Sequence, residues 1–150
     1  MAHLAQLNVA HLAHDLDHPD LQPFVSALDS VNADADAAPG FVWRWDEDEP
    51  SLARIRLFGR DMIVNLSVWT GLDALEAYVY GDAHLAVLRQ RRSFFTRMST
   101  PNLVLWWVPE GHVPSLPEAR ERLDRLEADG PTAYAFTMRQ AFDEDGAPLG

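Results

Sequence analysis

The most constraining stretch of this 150-residue chain is Met62 to Trp69, MIVNLSVW. Side chains alternate along a strand, so Met62, Val64, Leu66 and Val68 make one wholly apolar face while Ile63, Asn65, Ser67 and Trp69 share the other. A strand with one dry face and one face bearing an amide, a hydroxyl and an indole borders water or a polar-lined cavity, because a buried amide needs a partner.

Other stretches read as strands by the same alternation. In Leu4 to Val9, Gln6 and Asn8 share a face with Leu4, and Ala5, Leu7 and Val9 share the opposite one. Phe41 to Trp45, FVWRW, puts Phe41, Trp43 and Trp45 together, and Asn102 to Pro109 is apolar on both faces, as a central or doubly covered strand would be. Tyr134 to Phe142 is a last alternating strand, and Asp143 to Gly150 reads as a mobile polar tail. Ser51 to Phe58 alternates too, yet it is short and reads equally as an extended connection.

Three segments carry helical spacing. Pro19 and Asp20 open the first, which runs through Leu21, Phe24, Val25, Leu28 and Val31 to a break at Pro39 and Gly40. Leu72, Leu75 and Val79 begin a long second helix, with a kink or restart at Gly81 and Asp82. Beyond that point His84, Leu88, Arg91 and Phe95 form one stripe. Ser115 can cap the third helix with Glu118 three residues on, and Leu116, Ala119, Leu123 and Leu126 supply its apolar side.

The resulting order is strand, helix, strand, strand, helix, strand, then helix and strand. The first six elements form a split βαβ unit of the α+β class, in which an antiparallel sheet carries helices on one face and leaves the other needing cover. A homodimer formed through that face would supply the cover. A monomer whose third helix folds over it is the competing arrangement. The length suits a single domain, residues 1–150.

Composition removes several function classes. Twelve basic residues against 23 acidic ones give a net charge of −11, which opposes binding to nucleic acid or an anionic membrane. The absence of cysteine excludes disulfides, thiolate nucleophiles and cysteine metal sites. The N-terminus lacks the basic and apolar regions of a secretory signal, and no segment approaches the ~20 apolar residues of a membrane span, so a cytoplasmic location is expected. His11, His14 and His18 interleave with Asp15, Asp17 and Asp20, but their spacing is neither helical nor strand-like; a solvated loop without metal is expected.

The blocks LAQLN, PGFVWR, NLSVW, the helix carrying YVY, His84 and Arg91–Arg92, and LVLWWVPEGHVP resemble a bacterial family described as a domain of unknown function, over Leu4 to Pro114. That family is similar to the dimeric α/β barrel group, which includes antibiotic-biosynthesis monooxygenases and heme-degrading monooxygenases. The resemblance implies a ferredoxin-like fold, a homodimer whose two sheets form a barrel, and a small-molecule ligand. In the heme-degrading branch, Asn8 matches a strand asparagine, Tyr78 stands where a tryptophan is expected, and Leu88 stands where the heme ligand is expected, one turn after His84. No cofactor is therefore the first expectation, with heme as the alternative.

His84 is the first candidate for catalysis, since histidine titrates near neutral pH, although a histidine that only packs the helix on the sheet is an equal reading. Asn8 and Asn65 would bind substrate oxygens, with Trp43, Trp69, Tyr78 and Trp107 shaping the wall or, as aromatics on strands often do, filling core. Arg91 could anchor a substrate carboxylate or lie at a solvated helix end, and His112 could close the pocket mouth opposite His84 or serve a turn. Ser67 and Ser93 have no recognisable catalytic partners, and no serine triad, phosphate loop or nucleotide fingerprint is present. The expected function is a monooxygenase-like or related tailoring activity on an aromatic or polyketide-like compound. The alternatives are a heme-binding or heme-degrading protein and a non-catalytic ligand-binding or stress-response module.

Overall fold

The computed structural model describes residues 2–13, 18–45, 52–59, 62–81, 95, 96 and 101–149, with backbone alone at 28–30, 52, 53 and 96. Five strands, β1 (Ala2–Leu12), β2 (Phe41–Arg44), β3 (Met62–Trp69), β4 (Phe95–Thr96) and β5 (Leu103–Pro109), form one sheet. β1 lies inside it. On one side β3 pairs antiparallel with it, setting Gln6 opposite Ser67 and Asn8 opposite Asn65. On the other, β5 pairs from Ala2 to Asn8 and β4 takes His11 and Leu12. β2 pairs the outer side of β3, which completes a ferredoxin-like split βαβ sheet.

The two faces are the ones the alternation separates. Ala5, Leu7, Val9, Leu66, Val68, Val104, Trp106 and Val108 line the first and are buried against Leu116, Ala119, Leu123 and Leu126 of α4 (Leu116–Asp129) and Phe58 of α2 (Leu52–Phe58). The face that a second copy was expected to cover is thus covered within the chain by α2 and α4. Spacings of three, four and three put the four α4 residues on one stripe, which is why this helix fits a flat apolar surface. The second face carries Leu4, Trp69 and Leu105, which pack with Ala35 of α1 (Gln22–Ala37), Leu75 of α3 (Leu72–Val79), and Phe136 and Ala141.

Local differences from the sequence reading have local causes. The ambiguous Ser51–Phe58 stretch contains helix α2; alanine, arginine and leucine are good helix formers, and the helix puts Phe58 into the core with Arg120 over its ring. Phe95 belongs to β4 and not to a helical stripe, meeting Phe24 edge to face at 5.1 Å beside Leu12 and Leu21. The C-terminal strand is reduced to two isolated bridges, Phe136 with Leu105 and Phe142 with Pro148, because Thr132 and Thr137 hydroxyls accept from following backbone N–H groups and turn the chain on either side of Phe136. The tail, expected to be mobile, is hydrogen-bonded: Asp143 Oδ1 accepts from the N–H of Asp145 and Ala147, and Phe142 bridges Pro148.

Candidate ligand cavity

Between the second sheet face and helices α1 and α3 lies a cavity of about 310 Å³. Its floor is made by β1 and β3: Gln6, Asn8, Asn65, Ser67 and Trp69 all line it. Asn32 and Ala35 of α1, Leu75, Tyr78 and Val79 of α3, and Met138 close it from above, with Asn102 and Leu103 at one end. The period of two that puts Gln6 and Asn8 beside Asn65 and Ser67 is therefore what makes the floor polar.

The floor is a connected network. Gln6 and Ser67 are the two polar residues buried among those described, at 6% and 5% exposure. Gln6 Nε2 donates to Asn65 Oδ1 at 2.8 Å and to Ser67 Oγ at 2.7 Å, and lies 3.3 Å from the Asn65 backbone oxygen. Trp69 Nε1–H donates to the same Ser67 Oγ at 2.8 Å. One hydroxyl thus holds both the amide and the indole in fixed orientation.

Trp69 is also the wall. Its ring stacks on Tyr78 with centroids 5.1 Å apart and meets Phe41 edge to face at 5.5 Å. The Tyr78 hydroxyl donates weakly to the Val31 carbonyl of α1 at 3.3 Å. Burial, reinforced by the charge of Asp34, pushes the Tyr78 phenol up to about 12, so it stays protonated and neutral at physiological pH. Arg44, the one charged side chain among the described lining residues, pairs with Asp36 of α1 at 2.8 Å.

Gly40 fixes how closely these elements meet. At φ +84° it sits in the left-handed region, and a Cβ there would collide with Ala74 Cβ and lie 2.7 Å from Thr70 Oγ1. Its carbonyl accepts from the Thr70 N–H at 2.8 Å, so the start of β2 is held against the approach to α3.

Of the residues singled out from sequence, the fold gathers Asn8, Asn65, Trp69 and Tyr78 around one cavity. Three others are placed elsewhere. Trp43 does not share a face with Phe41: a β-bulge between them turns it to the opposite face, where it packs beside the core under α4. Trp107 donates Nε1–H to the Phe142 carbonyl at 2.8 Å and so clamps the C-terminal segment. His112 does not close the mouth; its Nε2 meets Glu118 Oε1 at 2.8 Å on α4, while Glu118 Oε2 accepts from Trp106 Nε1–H at 2.9 Å. Ser115 caps α4 as expected, accepting from the Glu118 N–H, but the carboxylate is spent on Trp106 and His112. His84 and Arg91 lie outside the described residues.

The lining also contains Gln6, Ser67, Arg44, Asn32, Asn102 and Met138, which sequence reasoning did not select. Gln6 and Ser67 had a signal, since each alternates with a chosen asparagine. Arg44 had none, because the bulge that moves it to this face leaves no mark in the sequence. His18, part of the apparent metal cluster, instead accepts the Asp20 N–H at 3.1 Å and caps a single 3-10 turn. Among the described residues no cluster suits a metal ion, and no helix is long and apolar enough to cross a membrane.

A family model described as a domain of unknown function, DUF3291, matches residues 3–149. No curated protein sequence matches the chain. Among solved structures, a protein of unknown function from Nitrosomonas europaea aligns with a TM-score of 0.51 at 15% identity, covering 77% of this chain and 97% of its own. SnoaB, a cofactor-independent oxygenase from Streptomyces nogalater, aligns at 0.47 and 19% identity, over 79% of this chain and 100% of its own. A dimeric ferredoxin-like protein of unknown function from Thermobifida fusca aligns at 0.47 and 16%, over 72% and 91%. At 15% identity the likeness to the Nitrosomonas europaea protein speaks to fold and not to activity.

Proposed function

We propose that this chain, which belongs to the DUF3291 family, binds a flat aromatic or polyketide-like molecule in the cavity under α1 and α3 and modifies it as a cofactor-independent monooxygenase or related tailoring enzyme. One observation carries this reading: a fixed polar floor and a stacked aromatic wall meet in the same cavity, through the hydroxyl of Ser67 that holds both Gln6 and Trp69. Ligand sites are commonly apolar clefts of roughly 300–1,000 Å³ with a few convergent polar groups, and this cavity has that character.

In such chemistry an electron-rich substrate loses a proton next to an oxygen-bearing ring, and the resulting enolate reacts with dioxygen. One oxygen atom enters the product as a carbonyl and the other leaves as water. Amide and hydroxyl donors aimed at the enolate oxygen favour the deprotonated form. Asn8, Asn65 and Ser67 are the described residues suited to that task, and His84 is the proposed base. Tyr78 is unsuited to the role of base, because its raised pKa keeps it protonated.

Oxygen uptake with 1,8-dihydroxyanthrone is the test. An enzyme of this kind consumes oxygen well above the buffer rate, forms the anthraquinone one for one, and loses the excess in Asn65→Ala and His84→Ala. A rate equal to buffer, with binding retained, leaves a ligand-binding module and sinks the catalytic reading.

Heme is the alternative that the resemblance offers. Among the described lining residues the groups able to ligate iron are Met138 and Tyr78, and the raised pKa of Tyr78 opposes a phenolate ligand. A Soret shift on adding hemin, lost in His84→Ala, would favour that alternative. The homodimer that accompanies this reading has to use an exchanged α4 or a surface other than the face under α2 and α4. Sedimentation equilibrium reads the outcome directly, and a monomer at all concentrations removes the dimer.

A further inference from the structure

We infer that the Ser67 hydroxyl and the Gln6 side-chain carbonyl form a paired donor–acceptor subsite that selects a planar ligand carrying a carbonyl next to an N–H or O–H. The inference rests on the reading of the cavity as the ligand site and specifies what that site reads.

Proton counting leads to it. A serine hydroxyl has two lone pairs and one proton. Both lone pairs of Ser67 Oγ are engaged, by Trp69 Nε1–H at 2.8 Å and Gln6 Nε2–H at 2.7 Å. An indole N–H can only donate, so Ser67 is an acceptor there without ambiguity. Its own proton therefore has to point elsewhere, and among the described residues no acceptor meets it. Ser67 is 5% exposed and lines the cavity, so the remaining direction for that proton opens onto the cavity.

Gln6 is complementary. Its amide nitrogen carries two hydrogens, and these face Asn65 Oδ1 at 2.8 Å and Ser67 Oγ at 2.7 Å. The Asn65 backbone oxygen, which can only accept, lies 3.3 Å from the same nitrogen and favours this orientation of the amide. The Gln6 carbonyl oxygen is left, and among the described residues no donor reaches it. Gln6 is 6% exposed and lines the cavity, so a carbonyl oxygen left without a donor there is available to a ligand. A ligand that accepts from Ser67 and donates to Gln6 satisfies both atoms at once. A purely anionic ligand would satisfy only the first, and the Gln6 carbonyl would repel it.

The test uses three probes of similar size with the full chain: 2-quinolinone, which has the adjacent carbonyl and N–H; N-methyl-2-quinolinone, which keeps the carbonyl alone; and naphthalene, which has neither. Binding is read by tryptophan fluorescence and by thermal shift. The wild-type protein is expected to prefer 2-quinolinone over its N-methyl form by about three- to tenfold, the worth of one neutral hydrogen bond. Ser67→Ala weakens both quinolinones by a similar factor, and by more than it weakens naphthalene, which shares only the Trp69 wall that the same hydroxyl holds; Ser67→Thr restores all three. Gln6→Met erases the preference between the two quinolinones, which keeps the inference testable should Ser67→Ala fail to fold. Leu75→Trp, which fills the cavity, abolishes binding of all three.

Equal affinity for the two quinolinones in the wild-type protein, or Ser67→Ala binding as tightly as wild type, overturns the subsite while leaving the cavity reading intact. Binding that survives Leu75→Trp overturns the subsite by moving the ligand elsewhere. Failure of all three probes, naphthalene included, to bind the wild-type protein sinks the cavity reading itself.

Discussion

Phe41 and Trp43, two residues apart on one strand, lie on opposite faces of the sheet. Phe41 stands opposite Trp69 and packs on its ring, whereas Trp43 stands opposite Val68, so Val42 is the extra residue of a bulge and is 40% exposed. The same shift sets Arg44 opposite Ser67 and brings it to the cavity. A bulge inserts one residue and reverses the facing of everything beyond it.

The bulge predicts an asymmetry between two deletions. Removing Val42 leaves Phe41, Trp43 and Arg44 in regular alternation with their present partners, so the fold is expected to survive with a small loss of stability. Removing Val64 from β3 inverts one end of a strand paired on both sides and is expected to prevent folding. Urea unfolding followed by circular dichroism compares them; equal damage would contradict the bulge.

Gly40→Ala combines a left-handed backbone with a collision against Ala74 Cβ and the Thr70 hydroxyl. A non-glycine residue in that region costs ~1–3 kcal/mol before any clash is counted. A fall in the urea midpoint with unchanged slope is the expected result. Gly111 also has positive φ, but a Cβ there meets nothing within 4 Å, so Gly111→Ala loses less.

Tyr78 should titrate late. Burial raises its pKa from 10.0 to about 12, so between those values the folded chain keeps a proton that the unfolded chain releases. Stability from this group is full below pH ~10 and is lost as pH rises through ~12, since the native state binds more protons. Absorbance at the phenolate band should lose its last component in Tyr78→Phe, and the alkaline fall in stability should flatten. Tyr134 also titrates above its usual value, through its hydrogen bond to Glu121 at 2.7 Å, so Tyr134→Phe is the control.

Glu118 joins α4 to β5 by accepting from Trp106 Nε1–H inside the first core. Glu118→Ala leaves that indole without its acceptor and is expected to cost ~1–3 kcal/mol in chemical denaturation. Glu118→Gln retains a carbonyl and should cost less. The half-exposed His112 adds little to the same carboxylate, so His112→Ala should stay within ~0.5 kcal/mol of wild type. A larger loss for His112→Ala than for Glu118→Ala would reverse this assignment.

Periodicity by itself determined which residues of β1, β3 and β5 share a face, the order of elements that makes the sheet ferredoxin-like, and the stripe and cap of α4. These are properties of neighbours in sequence, and an alternation of two or a spacing of three and four records them directly. That Asn8 and Asn65 meet follows from the same alternation once β1 and β3 pair. Only the tertiary structure decided the rest. The bulge at Val42, the use of the Glu118 carboxylate by Trp106, the covering of the first face by α4, and the double demand on the Ser67 hydroxyl all depend on groups far apart in the chain. A side chain's hydrogen-bond valence is written in its identity, but which partners exhaust it is set by packing, and so the serine that the sequence left without catalytic partners became the junction of the cavity floor.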